Sequence, residues 1–256
     1  MLGAIAGDII GSVYEARPIK TTDFPLFGPR STFTDDTVLT VASADAILNQ
    51  LDYAAVYKDY GRRYPHAGYG GTFIHWIFAA ESRPYNSWGN GSAMRVSPVG
   101  WAFDTVEKVL AEAETSAAVT HNHREGIKGA QATALAVLLA HTGQSKNNIK
   151  AEIESHFGYD LSRTLDEIRP GYQFDVSCQG SVPQAIIAFL EADGVEAAIR
   201  NAISLGGDSD TLACIAGAIA DAYFGELPAL IINETRHRLP DEFLTVIDQF
   251  NDRYGC

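Results

Sequence analysis

Two short runs, Thr34-Asp35-Asp36-Thr37 and Asp208-Ser209-Asp210-Thr211, set acids among hydroxyls just ahead of small and apolar residues. One ordinary use is helix capping, in which an oxygen accepts a backbone N–H and negative charge meets the helix dipole. A cap needs one acceptor, however, and each run carries two acids. Ionised carboxylates beside a core lose several kcal/mol of hydration or shift their pKa unless a partner compensates. Both runs offer hard oxygens without sulfur or imidazole, a donor set for Mg²⁺, Mn²⁺ or Ca²⁺ rather than zinc. Four carboxylates brought together repel one another, and a pair of divalent ions between them is the simplest remedy. Two such ions activate water and polarise substrate oxygens. A helix N-terminus opposes a nearby cation, so each acid must give one oxygen to backbone N–H and the other to metal.

Other residues carry chemistry of their own. Gly7-Asp8-Ile9-Ile10-Gly11 continues to Glu15; the glycines suit close helix packing, and Asp8 reads as a structural hydrogen-bond partner. Glu15 is either a surface acid at a helix end or a site acid. Ser87-Trp88-Gly89-Asn90-Gly91-Ser92-Ala93-Met94-Arg95 is a glycine-rich run that lets backbone N–H groups approach anionic oxygens, or simply a tight turn. It lacks the GxxxxGK[ST] pattern of a P-loop. Gly68-Tyr69-Gly70-Gly71 offers a ring that either stacks on a base or packs at the surface. In Thr120-His121-Asn122-His123, His121 reads as a hydrogen-bond donor to a ligand and His123 as exposed. The spacing is not HExxH, and no GxSxG elbow or Cys/His motif supports nucleophilic catalysis.

The elements that position these residues read as helices. Apolar residues recur at helical spacing over 36–51, 106–119, 126–141, 182–190, 195–205 and 210–224, and the apolar opening MLGAIAGDII reads as a buried first helix. Asp35 or Asp36, Ser181 and Ser209 are candidate N-caps, and Gly143, Gly206 and Gly225 stand where C-terminal caps fall. Pro18–Phe33, Tyr64–Thr72, Asn86–Pro98 and Arg169–Gly180 read as loops. With no linker or fixed-period repeat, 1–256 reads as one compact all-α, multi-helix domain. A formal charge of −13, from 32 acids against 19 Lys and Arg, excludes general nucleic-acid binding and binding to anionic lipid. Three unpatterned cysteines, Cys178, Cys214 and Cys256, fit a reduced cytoplasmic setting. No stretch reaches the roughly 18–20 apolar residues of a membrane span. Oligomeric state is not legible.

Taken in order, GDIIGSVYE, FTDDT, GYGG, SWGNGSAMR, TH followed by GA, and LGGDSDT resemble the ADP-ribosylhydrolase family, which includes the dinitrogenase reductase-activating glycohydrolase and the animal ADP-ribosylhydrolases. The matching segments run from about residue 3 to 225. The resemblance implies an all-α fold with a centre of two Mg²⁺ or Mn²⁺ ions held by Thr34, Asp35, Asp36, Asp208, Asp210 and Thr211. It implies that Ser87, Trp88, Gly89, Asn90, Gly91, Ser92 and His121 contact ADP-ribose, with Tyr69 in a ligand-lining segment. Glu15 is the first candidate for catalysis, with Asp36 or another metal-bound acid such as Asp208 second. The expected reaction is metal-dependent cleavage of the C1″ glycosidic bond of an ADP-ribosylated protein side chain or small molecule, releasing ADP-ribose. A non-catalytic ADP-ribose sensor and a metal-dependent nucleotide phosphohydrolase are the rival readings.

Overall fold

The computed structural model describes residues 1–255, so Cys256 lies outside the described residues. Among these residues the regular structure is helical. In chain order the helices are α1 (Leu2–Gly11), α2 (Asp35–Asn49), α3 (Tyr53–Arg63), α4 (Gly71–Phe78) and α5 (Gly91–Met94). They continue with α6 (Ser97–Ala102), α7 (Val106–Ala118), α8 (Arg124–His141), α9 (Lys146–Phe157) and α10 (Leu165–Ile168). The last five are α11 (Cys178–Leu190), α12 (Val195–Ile203), α13 (Ser209–Phe224), α14 (Ala229–His237) and α15 (Asp241–Tyr254). The extended pairing among the described residues is an isolated antiparallel bridge between Gly89 and Ser177.

The core is built on α1 and α13, which are largely apolar and buried along nearly their whole length, as central helices are. They run antiparallel in backbone contact. A Cβ added to Gly3 would lie 2.5 Å from the Gly217 carbonyl oxygen, one on Gly7 2.1 Å from that of Ala213, and one on Gly11 2.5 Å from that of Ser209. Glycine at every fourth residue thus makes a side-chain-free stripe along α1. Asp8 and Asp210 flank this contact, so the packing that forms the core also fixes two acids of the site. Gly7→Ala is expected to cost about 3 kcal/mol, because the obstacle is rigid backbone on both sides. A calorimetric melting temperature lowered by roughly 10 °C is the result to look for, and an unchanged one would contradict this packing.

The helix boundaries follow the expected segments closely, but several caps fall elsewhere. Thr34, not Asp35 or Asp36, caps α2, its Oγ1 accepting from Asp36 N at 3.4 Å. Ser177 caps α11, which places Ser181 inside the helix, donating to the Ser177 carbonyl at 2.6 Å. Asp208, not Ser209, stands at the N-cap of α13 and makes no side-chain capping bond. That leaves its oxygens for the site. Gly206 takes φ +66 and turns the chain into this helix, a conformation that costs a residue with a Cβ. Asn86–Pro98, expected as a loop, contains α5 and the start of α6, and Tyr64–Thr72 runs into α4.

Candidate active site

The acids converge from three elements. Asp8 comes from α1, Asp36 from the first turn of α2, and Asp208 and Asp210 from the start of α13. Carboxylate oxygens of Asp8, Asp36 and Asp210 lie within 4.8 Å of one another, as do those of Glu15, Asp208 and Asp210. Asp210 belongs to both groups. Asp8 is a structural partner, as its position suggested: it accepts from Thr34 N (2.9 Å), Thr34 Oγ1 (2.7 Å), Thr37 N (3.1 Å) and Thr37 Oγ1. These bonds hold the N-terminus of α2 against α1. Asp8 also completes the first acidic group, a place the sequence reading did not give it. Asp35, Thr34 and Thr211 line the same cleft, but Asp35 is in neither group. Thr211 Oγ1 donates to Asp36 Oδ2 at 3.4 Å.

The electrostatics of the cluster are those of crowded, desolvated acids. Burial, then the neighbouring acids, pushes Asp36 and Asp210 well above the usual carboxylate range. Burial, then the charge of Asp8, raises Asp35 to about 8. Glu15, exposed at the rim, is raised by partial desolvation, then by Asp208 and Asp8. Among the described residues none of these acids has a Lys or Arg ion-pair partner. Asp36 Oδ1 is buried without a hydrogen-bond partner among the described residues, a costly condition that a cation relieves. An all-oxygen donor set with an orphaned oxygen fits a hard divalent ion.

Above the acids opens a cleft of about 590 Å³, the size of a small-ligand site. Its far wall is the glycine run, tied to the segment before α11 by Asn90 N→Val176 O (2.8 Å) and Cys178 N→Trp88 O (3.0 Å). Ser87, Trp88, Gly89, Asn90, Gly91 and His121 all line it. Asn90 also reaches across to the acids, its Nδ2 donating to Asp208 Oδ2 at 2.8 Å. Two expected ligand residues are not in the lining. Ser92 is fully buried beneath the run, donating to the Gly126 carbonyl at 2.7 Å. Tyr69 stacks on Phe73 with centroids 5.3 Å apart; Gly68, at φ +104, redirects the chain there. His123 is half-buried and caps α8, accepting from Glu125 N at 3.1 Å, rather than standing free in solvent.

Sequence reasoning missed Phe174 and Val176, which line the cleft and are 55% and 46% exposed, beside Trp88 at 48%. These three place an apolar rim on the mouth. The signal available was the apolar pair inside the polar connection Arg169–Gly180.

Fold and site together define an all-helical protein with an oxygen-donor acidic centre under a glycine-rich ligand wall. The chain belongs to the ADP-ribosylglycohydrolase family, whose sequence model matches residues 1–255. It is similar to the ADP-ribosylhydrolase ARH3 of Gallus gallus, 28% identical over 309 residues that take in 88% of this chain and 84% of that one. The Homo sapiens ARH3 is 28% identical over 306 residues with the same shares. The ADP-ribosylarginine hydrolase Tri1 of Pseudomonas putida (strain GB-1) is 26% identical, over 88% of this chain and 69% of that one. A solved structure, an ADP-ribosylglycohydrolase-related protein complex, shares the fold with a TM-score of 0.74 at 24% identity, covering 97% of this chain and 95% of that one. No helix among the described residues is long and apolar enough to cross a membrane.

Proposed function

We propose that this chain, acting as a single domain, hydrolyses the C1″ glycosidic bond of an ADP-ribosylated protein side chain or small molecule and releases ADP-ribose. The observation that carries this reading is the pair of acidic groups sharing Asp210 at the floor of a cleft walled by the glycine run and His121. The Gly89 and Asn90 N–H groups bond to Ser87 Oγ and the Val176 carbonyl, so the run's donors that suit a diphosphate are those of Trp88 and Gly91, and Trp88 and Phe174 at the rim suit an adenine face. Asp36, Asp208 and Asp210, with Thr34, Asp35 and Thr211 beside them, would hold two Mg²⁺ or Mn²⁺ ions. Bound there, the ions supply charge stabilisation for ribose oxygens and a more acidic water. Bond cleavage passes through an oxocarbenium-like state. Glu15, whose carboxyl is raised by partial desolvation and then by Asp208 and Asp8, takes one proton of the attacking water as the water oxygen bonds to C1″, and the acceptor, its bond to C1″ broken, leaves with a proton from solvent; Asp36 is the second candidate for the base. The free thiols of Cys178 and Cys214 suit a cytoplasmic setting.

The test is a panel of ADP-ribosylated arginine, serine, O-acyl and polymer substrates with Mg²⁺ or Mn²⁺, scored for ADP-ribose. Binding without release would favour a sensor, and phosphate without free ADP-ribose a nucleotide phosphohydrolase.

The raised acids also predict a cation-dependent pH profile of stability. An acid with a raised pKa binds more protons folded than unfolded, so its contribution is lost as pH rises through the folded value. For Asp35 that window runs from about 4 to about 8. In EDTA the melting temperature is expected to fall by about 5 °C between pH 7 and pH 9. His121, held neutral by burial and the charge of Arg95, adds nothing in that interval. Added Mg²⁺ should remove most of the fall, and this cation-dependent part separates the site acids from the lysines and thiols. An equal fall with and without Mg²⁺ counts against cation binding at the acids.

A further inference from the structure

Arg95 is fully buried and lines the cleft, and among the described residues it is in no ion pair with an acid. Its guanidinium lies over the Tyr57 ring, 4.2 Å from the centroid, and Nε and Nη1 have no hydrogen-bond partner among the described residues. Nη2 donates to the Ser116 carbonyl at 3.0 Å and to Thr120 Oγ1 at 2.9 Å. Thr120 Oγ1 in turn sits 2.7 Å from His121 Nδ1. The other ring nitrogen, Nε2, is turned to the glycine run: a Cβ on Gly91 would lie 3.2 Å from it, and one on Gly89 3.6 Å.

A guanidinium only donates, so Arg95 occupies one lone pair of the Thr120 hydroxyl. A hydroxyl that accepts from a cation is polarised into a stronger donor and a weaker acceptor, so the Thr120 proton is the one given across the 2.7 Å contact to Nδ1. Burial and the Arg95 charge keep the imidazole neutral, with its pKa well below the ordinary value. A neutral imidazole carries one N–H, and when Nδ1 accepts, the proton sits on Nε2.

We propose that Arg95 and Thr120 are positioning residues that lock His121 as its Nε2–H tautomer, aimed as a hydrogen-bond donor at an anionic diphosphate oxygen held against the glycine run. The ligand in this statement rests on the ADP-ribose reading above; the tautomer does not.

The experiment uses the full chain with ¹⁵N-labelled imidazoles and two-bond ¹H–¹⁵N correlation spectra at pH 7.5, without ligand or cation. The His121 signals are assigned by their loss in His121→Gln. Wild type is expected to show a protonated Nε2 and an unprotonated Nδ1. Thr120→Val, similar in volume without the hydroxyl, is expected to lose that preference, and Thr120→Ser to keep it. By calorimetry with Mg²⁺, ADP-ribose should bind about tenfold more weakly to Thr120→Val and within about twofold of wild type to Thr120→Ser. A protonated Nδ1 in wild type, or an unchanged tautomer in a folded Thr120→Val, overturns the proposal. Wild-type protein that shows the Nε2–H tautomer but does not bind ADP-ribose overturns the choice of ligand and leaves the lock standing.

Discussion

Asp210→Ala is expected to abolish tight cation binding and to lower ADP-ribose release by about a thousandfold or more, with helicity intact. Asp210 is shared by both acidic groups, so its loss opens the Asp8–Asp36 side and the Glu15–Asp208 side together. Its carboxylate accepts from the adjacent Thr211 N, at 2.9 Å, at the first turn of α13, and interacts with Asp208, while the burial of α13 rests on its apolar residues. The cation-free variant should melt no lower than cation-free wild type, because one like charge has left a desolvated cluster. Paramagnetic titration with Mn²⁺, an ADP-ribose assay and circular dichroism read the three effects separately. Normal turnover at ordinary Mg²⁺ would sink the site assignment.

The second large effect is expected at Glu15. Glu15→Gln keeps the shape and an oxygen but gives up the proton-accepting carboxylate, and kcat is expected to fall about 10²- to 10⁴-fold. ADP-ribose affinity should change far less, because Asp208 and Asp210 remain at the floor and the glycine run is untouched. A loss confined to KM would assign Glu15 to ligand binding. A loss of Mn²⁺ affinity as large as that in Asp210→Ala would make it an essential ligand rather than a base. The residual rate at elevated pH separates these further, since the glutamine has no carboxyl to titrate.

Much of this arrangement was legible from residue type and order. The long helices have alanine-rich, apolar periodicity, and the acid pairs stand where those helices begin. The failures have physical causes. α9 and α15 are polar overall and bury few residues, Ile149 and Ile153 in one and Phe243, Ile247 and Phe250 in the other. Their spacing of three and four was present but sparse against the charged background. Caps are decided by local backbone direction, which composition does not encode, and so Ser177 took the role expected of Ser181. Tyr69 was read from its glycine neighbours, yet Gly68 at positive φ sends the ring to Phe73. Asp8 was read correctly as a hydrogen-bond partner; its nearness to Asp36 and Asp210 depends on how closely α1 and α13 approach, a distance no linear pattern reports.

That approach has an evolutionary consequence. At Gly3, Gly7, Gly11 and Gly217 any side chain would strike backbone or side-chain atoms of the opposing helix, so these positions answer to folding whether or not the acids are used. A lineage that gave up its chemistry would be free to scatter Asp36, Asp208 and Asp210, but it would still be obliged to keep the glycine stripe. Drift would therefore erase the acids first and leave the scaffold recognisable. Within any set of descendants, glycines kept beside lost acids would mark proteins that retired from hydrolysis without losing their shape.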